Sequence, residues 1–234
     1  MATATDLAAD DADRLDLKIA TAALREMASA FEMFAPYRAS PKITMFGSAR
    51  TLPDDPLYVQ ARDLARAMAA HGWMVITGAG PGIMAAGMEG AGRERSFGVN
   101  IRLPHEQEPN AFIKGDPKLV AMKYFFTRKL ELIKESDGFV VLPGGFGTLD
   151  ELFETLTWLQ LSFHDKPVAL LNVGGFFDGL IDFIAHMSRS GFLKPEHAQC
   201  VLVEADREKL LAAMQSFRPP ELGKWIEKMA AETR

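Results

Sequence analysis

Residues 138–154 read Gly-Phe-Val-Val-Leu-Pro-Gly-Gly-Phe-Gly-Thr-Leu-Asp-Glu-Leu-Phe-Glu, and the reading of this stretch decides the fold. The apolar run 139–142 has the length and composition of a buried strand. It stops at Pro143, passes through Gly144, Gly145 and Gly147, and continues as an amphipathic helix. A strand, a glycine turn and a helix start in that order make an anion site. Backbone N–H groups point outward there, the helix dipole favours negative charge, and glycine lets a phosphate come close. Glu151 falls in the first turn of the expected helix, where a carboxylate beside a phosphate ester is electrostatically costly unless it has a chemical role.

Outward from this stretch, strand and helix patterns alternate. Residues 14–35 fit an amphipathic helix with Leu17, Ala20, Leu24 and Met27 on one face. Strand 42–46 ends at Gly47-Ser48-Ala49-Arg50, helix 55–70 stops at Gly72, and strand 73–77 ends at Gly78-Ala79-Gly80-Pro81-Gly82. A helix of small residues follows from Ile83 to about Arg93, then strand 97–101, a polar loop 102–118 and a helix over 124–136. Beyond the opening stretch come strand 167–173, a helix through Arg189, strand 200–203 and a helix from Asp206, with a separate short helix after Pro219-Pro220. Repeated strand–helix units imply a doubly wound, Rossmann-like α/β fold with a parallel sheet and helices on both faces. Residues 1–13 read as a disordered leader and 14–234 as one nucleotide-binding domain with an N-terminal helical extension. In such a sheet, ligands bind at the carboxyl ends of strands near the switch in strand order. The glycine turns at Gly47, at Gly78-Gly80-Gly82 and at Gly144-Gly145-Gly147 are all expected on that edge.

A chain of 234 residues with 48% apolar content can bury a sizeable core. Its formal charge of −5 argues against nucleic-acid binding, which depends on basic surface. No apolar run is long enough to cross a bilayer. Asp6, Asp10, Asp11 and Asp13 near the start do not match a secretory signal, so the expected location is the cytoplasm. Cys200, the lone cysteine, lies in an apolar run and reads as an inert buried thiol.

Several motifs exclude function classes. Residues 78–83 resemble a dinucleotide fingerprint but place Ile83 at the third glycine, and no acidic residue at the end of the next strand suits a ribose. No glycine is followed by Lys and Ser or Thr as in an ATP-type loop. The histidines at 71, 105, 164, 186 and 197 lack metal-ligand spacing, and Gly-x-Ser-x-Gly is absent, so neither a metal nor an acyl-enzyme is expected. Gly78 and Gly87 divide evenly between tight turns and ligand contact, whereas Gly145 and Gly147 favour phosphate. Thr148-x-x-Glu151 also fits a capping box, in which both side chains only satisfy orphan N–H groups. Arg128 reads on spacing alone as a solvated residue pairing with Glu131, on the flank of a helix that buries Phe126, Leu130 and Ile133. The helix after the signature carries Leu152, Leu156, Leu159 and Phe163 on its sheet-facing stripe. Phe153, Trp158 and Leu161 lie off it, so a second cover is expected, with a subunit partner favoured over the chain's own C-terminal helix.

Pro143-Gly-Gly-Phe-Gly-Thr-Leu-Asp-Glu151 resembles the Pro-Gly-Gly-x-Gly-Thr-x-x-Glu signature of the LOG (Lonely Guy) family, cytokinin riboside 5′-monophosphate phosphoribohydrolases often mislabelled lysine decarboxylases. The resemblance covers roughly residues 40–205. It includes Gly47-Ser48-Ala49-Arg50, residues 77–84, the 100–110 segment and Phe125-Phe-Thr-Arg-Lys129, and is similar to the longer bacterial branch. It implies Arg128 and Glu151 as the catalytic pair, reversing the solvated reading of Arg128. Gly47, Ser48, Gly80, Met84, Lys129, Gly144, Gly145, Gly147 and Thr148 become the substrate- and phosphate-binding set. Ala79 departs from the family, which often has glycine there, and is expected to alter the fit near the nucleotide. Met84, the 102–118 loop and Met122 are expected to wall the pocket.

The implied reaction is hydrolysis of the N-glycosidic bond of a purine nucleoside 5′-monophosphate, AMP or a cytokinin-type relative, to free base and ribose 5-phosphate. No cofactor is expected, and the assembly is expected to be a homodimer or larger. The alternative is a non-catalytic carrier of a phosphorylated ligand, like the molybdenum-cofactor carrier. Lysine decarboxylation ranks third, since no lysine has a clear setting for pyridoxal phosphate.

Overall fold

The computed structural model describes residues 13–102 and 108–219. Strands β1 (Lys42–Phe46), β2 (Met74–Thr77), β3 (Ser96–Ile101), β4 (Leu119–Met122), β5 (Gly138–Val141), β6 (Val168–Leu171) and β7 (Val201–Glu204) form one parallel sheet in the order β4-β3-β2-β1-β5-β6-β7. The helices are α1 (Arg14–Phe34), α2 (Pro56–Ala70), α3 (Ile83–Ala91), α4 (Phe125–Lys134), α5 (Phe146–Gln160), α6 (Asp178–Arg189), α7 (Pro195–Ala198) and α8 (Arg207–Ser216). This is the expected doubly wound, Rossmann-like sheet. Among the described residues no helix is long and apolar enough to cross a membrane.

Both faces of the sheet are covered, which is why its inner strands read as continuous apolar runs. Alternate residues of one strand enter opposite cores. Phe46 joins Phe34, Phe97, Phe139 and Leu152 on one side, while Met45 joins Leu64, Val75, Ile83 and Leu210 on the other. Strand order reverses between β1 and β5, so the turns after β2, β1 and β5 are neighbours on one edge. Backbone hydrogen bonds lock them together. Ser48 N–H donates to Pro143 O over 3.0 Å, and Ile83 N–H donates to Ser48 O over 2.9 Å. Gly82, with φ +67°, must be glycine for a second reason: a Cβ there would overlap Ser48 O.

Several expectations are corrected. The polar loop does not run directly into a helix, because β4 lies between them. Four residues on a sheet edge, three of them only half-buried, give too short a pattern to stand out. Helix α1 does not bury Leu24, which is 58% exposed; it packs through Ala23, Ala30 and the large ring of Phe34. Helix α4 buries Thr127, Arg128, Glu131, Leu132 and Ile133; of the expected Phe126–Leu130–Ile133 stripe only Ile133 is buried, Leu130 is half-buried and Phe126 is 54% exposed. Glu131 is fully buried and does not pair with Arg128. Helix α5 starts at Phe146 with Gly145 as its N-cap, so no capping box forms and Glu151 stands in the second turn. Phe163 lies past the end of α5 and is exposed, and Leu156 is only half-buried. Cys200 is buried, and burial pushes its thiol up, as its apolar setting implied. The leader 1–12, residues 103–107 of the polar loop and the last stretch from Pro220 lie outside the described residues; Asp13 caps α1, accepting from Leu15 N–H.

Candidate active site

Arg128 reaches the switch-point edge from the first turns of α4. Its Nε donates to Val99 O of β3 over 3.0 Å, and its Nη1 meets Glu151 Oε1 at 3.1 Å. The pair is largely enclosed, with the Glu151 side chain 13% exposed. Burial pushes the Glu151 carboxyl above the usual carboxylate range, and the Arg128 guanidinium pulls it back. Gly78, at the end of β2, leaves the space that the guanidinium fills. A Cβ there would overlap Arg128 Nη2 and crowd Met84 Sδ. The even division between turn and ligand contact thus resolves into a third role, a seat for the Arg128 guanidinium. Gly87 is a packing glycine of α3, against Met45 and Thr77.

On α5, Thr148 and Glu151 are three residues apart and share a face. Thr148 is buried with its hydroxyl against Gly144, where a Cβ would overlap it. Gly145 and Gly147 are exposed and nothing lies over them. Among the described residues the amide N–H groups of Phe146 and Gly147 have no acceptor, and Phe146 is 93% exposed. These are the outward-pointing donors of an open helix start.

The remaining residues of the expected set divide. Gly47 packs against the Ile83 side chain. The Ser48 N–H is committed to Pro143, while its hydroxyl accepts from Arg50 N–H at 3.0 Å and keeps its own proton to donate. Gly80 is buried, its carbonyl taken by Asn110 Nδ2 at 3.0 Å. Met84 is half-buried beside the arginine seat. Lys129 turns to α5, with Nζ at 2.9 Å from Glu154 and 3.3 Å from Asp150, and so braces the two helices. Met122 does not wall a pocket, because it is fully buried in the apolar core. Ala79 does not line the site either. It is buried against Met88 and Ile113 with φ +58°, a left-handed conformation that glycine adopts more readily than alanine.

Two asparagines escaped the sequence reading. Asn100 Nδ2 donates to Gly78 O at 3.2 Å, and Asn110 straps the following turn through Ala79 O and Gly80 O. Asn100 stands where a dehydrogenase would carry its ribose acid, and that failed match was the available signal.

A family model described as "Possible lysine decarboxylase" matches residues 81–214. An Arabidopsis thaliana relative, cytokinin riboside 5′-monophosphate phosphoribohydrolase LOG5, is 32% identical over 163 residues, 68% of this chain and 70% of its own length. The chain belongs to the LOG family. Other matches are shorter. The rice relative "Probable cytokinin riboside 5′-monophosphate phosphoribohydrolase LOGL5" is 44% identical over 40% of this chain and 38% of its own length, and Arabidopsis LOG3 is 42% identical over 39% and 43%. The chain thus spans about two-fifths of the length of these relatives. Among solved structures, TM1055 aligns with a TM-score of 0.55 at 24% identity, covering 76% of this chain and 99% of that one. The molybdenum cofactor carrier protein of Chlamydomonas reinhardtii also scores 0.55, at 25% identity over 75% and 96%. Both share the fold of this LOG-family chain.

Proposed function

We propose that this LOG-family chain is a cytoplasmic hydrolase, built as one nucleotide-binding domain, that cleaves purine nucleoside 5′-monophosphates to free base and ribose 5-phosphate. The observation that carries the reading is the Arg128–Glu151 pair, held at 3.1 Å over the edge where three strand turns converge. Phosphate docks at the open start of α5, on the free N–H groups of Phe146 and Gly147 with the Ser48 hydroxyl opposite. That remote handle supplies binding energy that positions the sugar. As the bond between C1′ and the base nitrogen breaks, positive charge grows on the ribose, and the Glu151 carboxylate stabilises it. Glu151 also orients the water whose oxygen bonds to C1′; one water proton ends on the departing base. Arg128, with Nε and Nη1 already engaged, acts by holding Glu151 ionised and aimed.

The test is a panel of nucleoside 5′-monophosphates and their dephosphorylated nucleosides, with free base measured by chromatography. Base release from the monophosphates alone is expected. Equal rates on both, or ligand retention without release, would favour a carrier of a phosphorylated ligand. Lysine decarboxylation finds no support in Lys129, whose ammonium is paired with Asp150 and Glu154.

We further infer a homodimer or larger assembly. Phe153 on α5, Ile184 and Met187 on α6, and Phe192 line a mostly apolar groove of about 260 Å³, and Phe192 is largely exposed. Exposed aromatics around a groove are what a subunit contact covers. Sedimentation at micromolar concentration should give a multiple of 25.8 kDa, and a monomer would refute the idea.

A further inference from the structure

Helix α4 brings Arg128 to the site, yet it has no cap of its own. Its N-cap residue is Tyr124, and no side-chain cap hydrogen bond forms there. The deficit is met from α1. Glu26 Oε1 accepts from Lys123 N–H at 2.8 Å, and Oε2 accepts from Tyr124 N–H at 3.4 Å and from the Thr127 hydroxyl at 2.7 Å. In a capping box a glutamate at the third helical position reaches back to the N-cap N–H. Here that position is Thr127, and the carboxylate arrives from an element 98 residues earlier. The far end of α4 is held in the complementary way, by Lys166 Nζ donating to Ile133 O at 2.7 Å and Lys134 O at 3.2 Å. An anion at the start and a cation at the end both match the helix dipole.

Arg128 follows Thr127 directly, and its own N–H donates to Tyr124 O at 3.2 Å. Any fraying of the start of α4 therefore breaks the backbone bond of the residue that must meet Glu151. We propose that Glu26 is a positioning residue for the Arg128–Glu151 pair. By clamping residues 123–127, the carboxylate of α1 keeps the guanidinium in register with the acid. The inference rests on the phosphoribohydrolase reading of the same site. It also predicts a coupling that packing alone does not give. Burial raises the Glu151 carboxyl and Arg128 opposes it, so a loosened Arg128 lets Glu151 titrate higher.

The experiment compares the full-length wild type with Glu26→Ala, Glu26→Gln and Thr127→Val. It reads thermal midpoint, kcat and KM on AMP, the acid limb of the pH–rate profile, and the Glu151 carboxyl titration by carbon-13 NMR. Glu26→Ala should lower kcat by about 10- to 100-fold, the scale of a misplaced catalytic group, with KM within about 3-fold because the phosphate cradle is untouched. Its acid limb and its Glu151 titration should both move to higher pH. Glu26→Gln, which keeps one accepting oxygen, should recover part of kcat, and Thr127→Val should move both readouts less far in the same direction. A lowered thermal midpoint with unchanged kcat and an unmoved Glu151 titration would reduce Glu26 to a structural cap and overturn the proposal. If the wild type releases no base from any nucleotide, the hydrolase reading falls, and the Glu151 titration alone then decides whether Glu26 positions the pair. Should Glu26→Ala fail to fold, the other two variants carry the same decision.

Discussion

Arg128 and Glu151 face each other across 3.1 Å, one presented by α4 and the other by α5, with no sequence element in common. Helix α4 starts after β4 and anchors Arg128 on β3, while α5 starts after β5, so the sheet brings the two residues together. Their contact makes Glu151 the group whose removal should separate chemistry from binding. Glu151→Gln keeps shape and burial but cannot stabilise a developing cation. It should lower kcat by about 10²- to 10³-fold, the cost of deleting one preorganised electrostatic group, with KM little changed. Chromatographic base release together with nucleotide binding by calorimetry checks it. A variant retaining more than half the wild-type kcat would return Glu151 to a structural role.

The same pair sets the pH dependence. In the proposed reaction Glu151 acts as the ionised carboxylate, and burial holds its carboxyl above the usual range despite Arg128. Activity is therefore expected to fall as pH drops through a value above the ordinary glutamate pKa of about 4.3. Raising the pH past that value restores it. An acid limb at or below the ordinary value would mean that the guanidinium outweighs the burial.

Gly78→Ala tests the arginine seat while leaving Arg128 and Glu151 themselves unsubstituted. Its Cβ would occupy the space of Arg128 Nη2 and Met84 Sδ. Both are ends of flexible side chains, so the fold can give way at a cost of about 1–2 kcal/mol. The guanidinium cannot give way and still meet both Val99 O and Glu151. The expected result is a folded protein with kcat reduced about 100-fold, read by circular dichroism and base release. Full activity would show that Arg128 tolerates displacement.

These contrasts mark how far the sequence could be read. The alternation of strands and the glycine turns specified the parallel sheet, because buried strands and their stops are local patterns. Edge strand β4 was invisible at four residues, three of them only half-buried. The buried face of α4 was misread because its buried residues include Thr127, Arg128 and Glu131, polar groups that periodicity assigns to solvent. Arg128 and Thr127 are inside because their partners Val99, Glu151 and Glu26 lie there, so the periodic pattern fails along this helix. Arg128 itself was legible only through the family resemblance. Nothing nearby in sequence signals partners that lie at Val99 and Glu151. Glu26 is likewise separated from the helix that it caps by most of the sheet.

Glu131 offers a prediction that needs no substrate. It is fully buried on α4, and neither carboxylate oxygen has a hydrogen-bond partner among the described residues. Burial pushes its pKa up to about 7, with Lys134 opposing and Glu135 adding to the rise. A carboxyl whose folded pKa lies above its unfolded one binds more protons folded than unfolded between the two values, so stability falls as pH rises through that window. Below about pH 4.3 both states are protonated and there is no penalty. Above about pH 7 the penalty is complete, at about 1–3 kcal/mol. Glu131→Gln mimics the neutral acid at every pH. It should leave the thermal midpoint nearly unchanged at pH 4 and raise it by several degrees at pH 8. An equal effect at both pH values would show that Glu131 finds a compensating charge when ionised, and the isolation of this carboxyl under α4 would then be wrong.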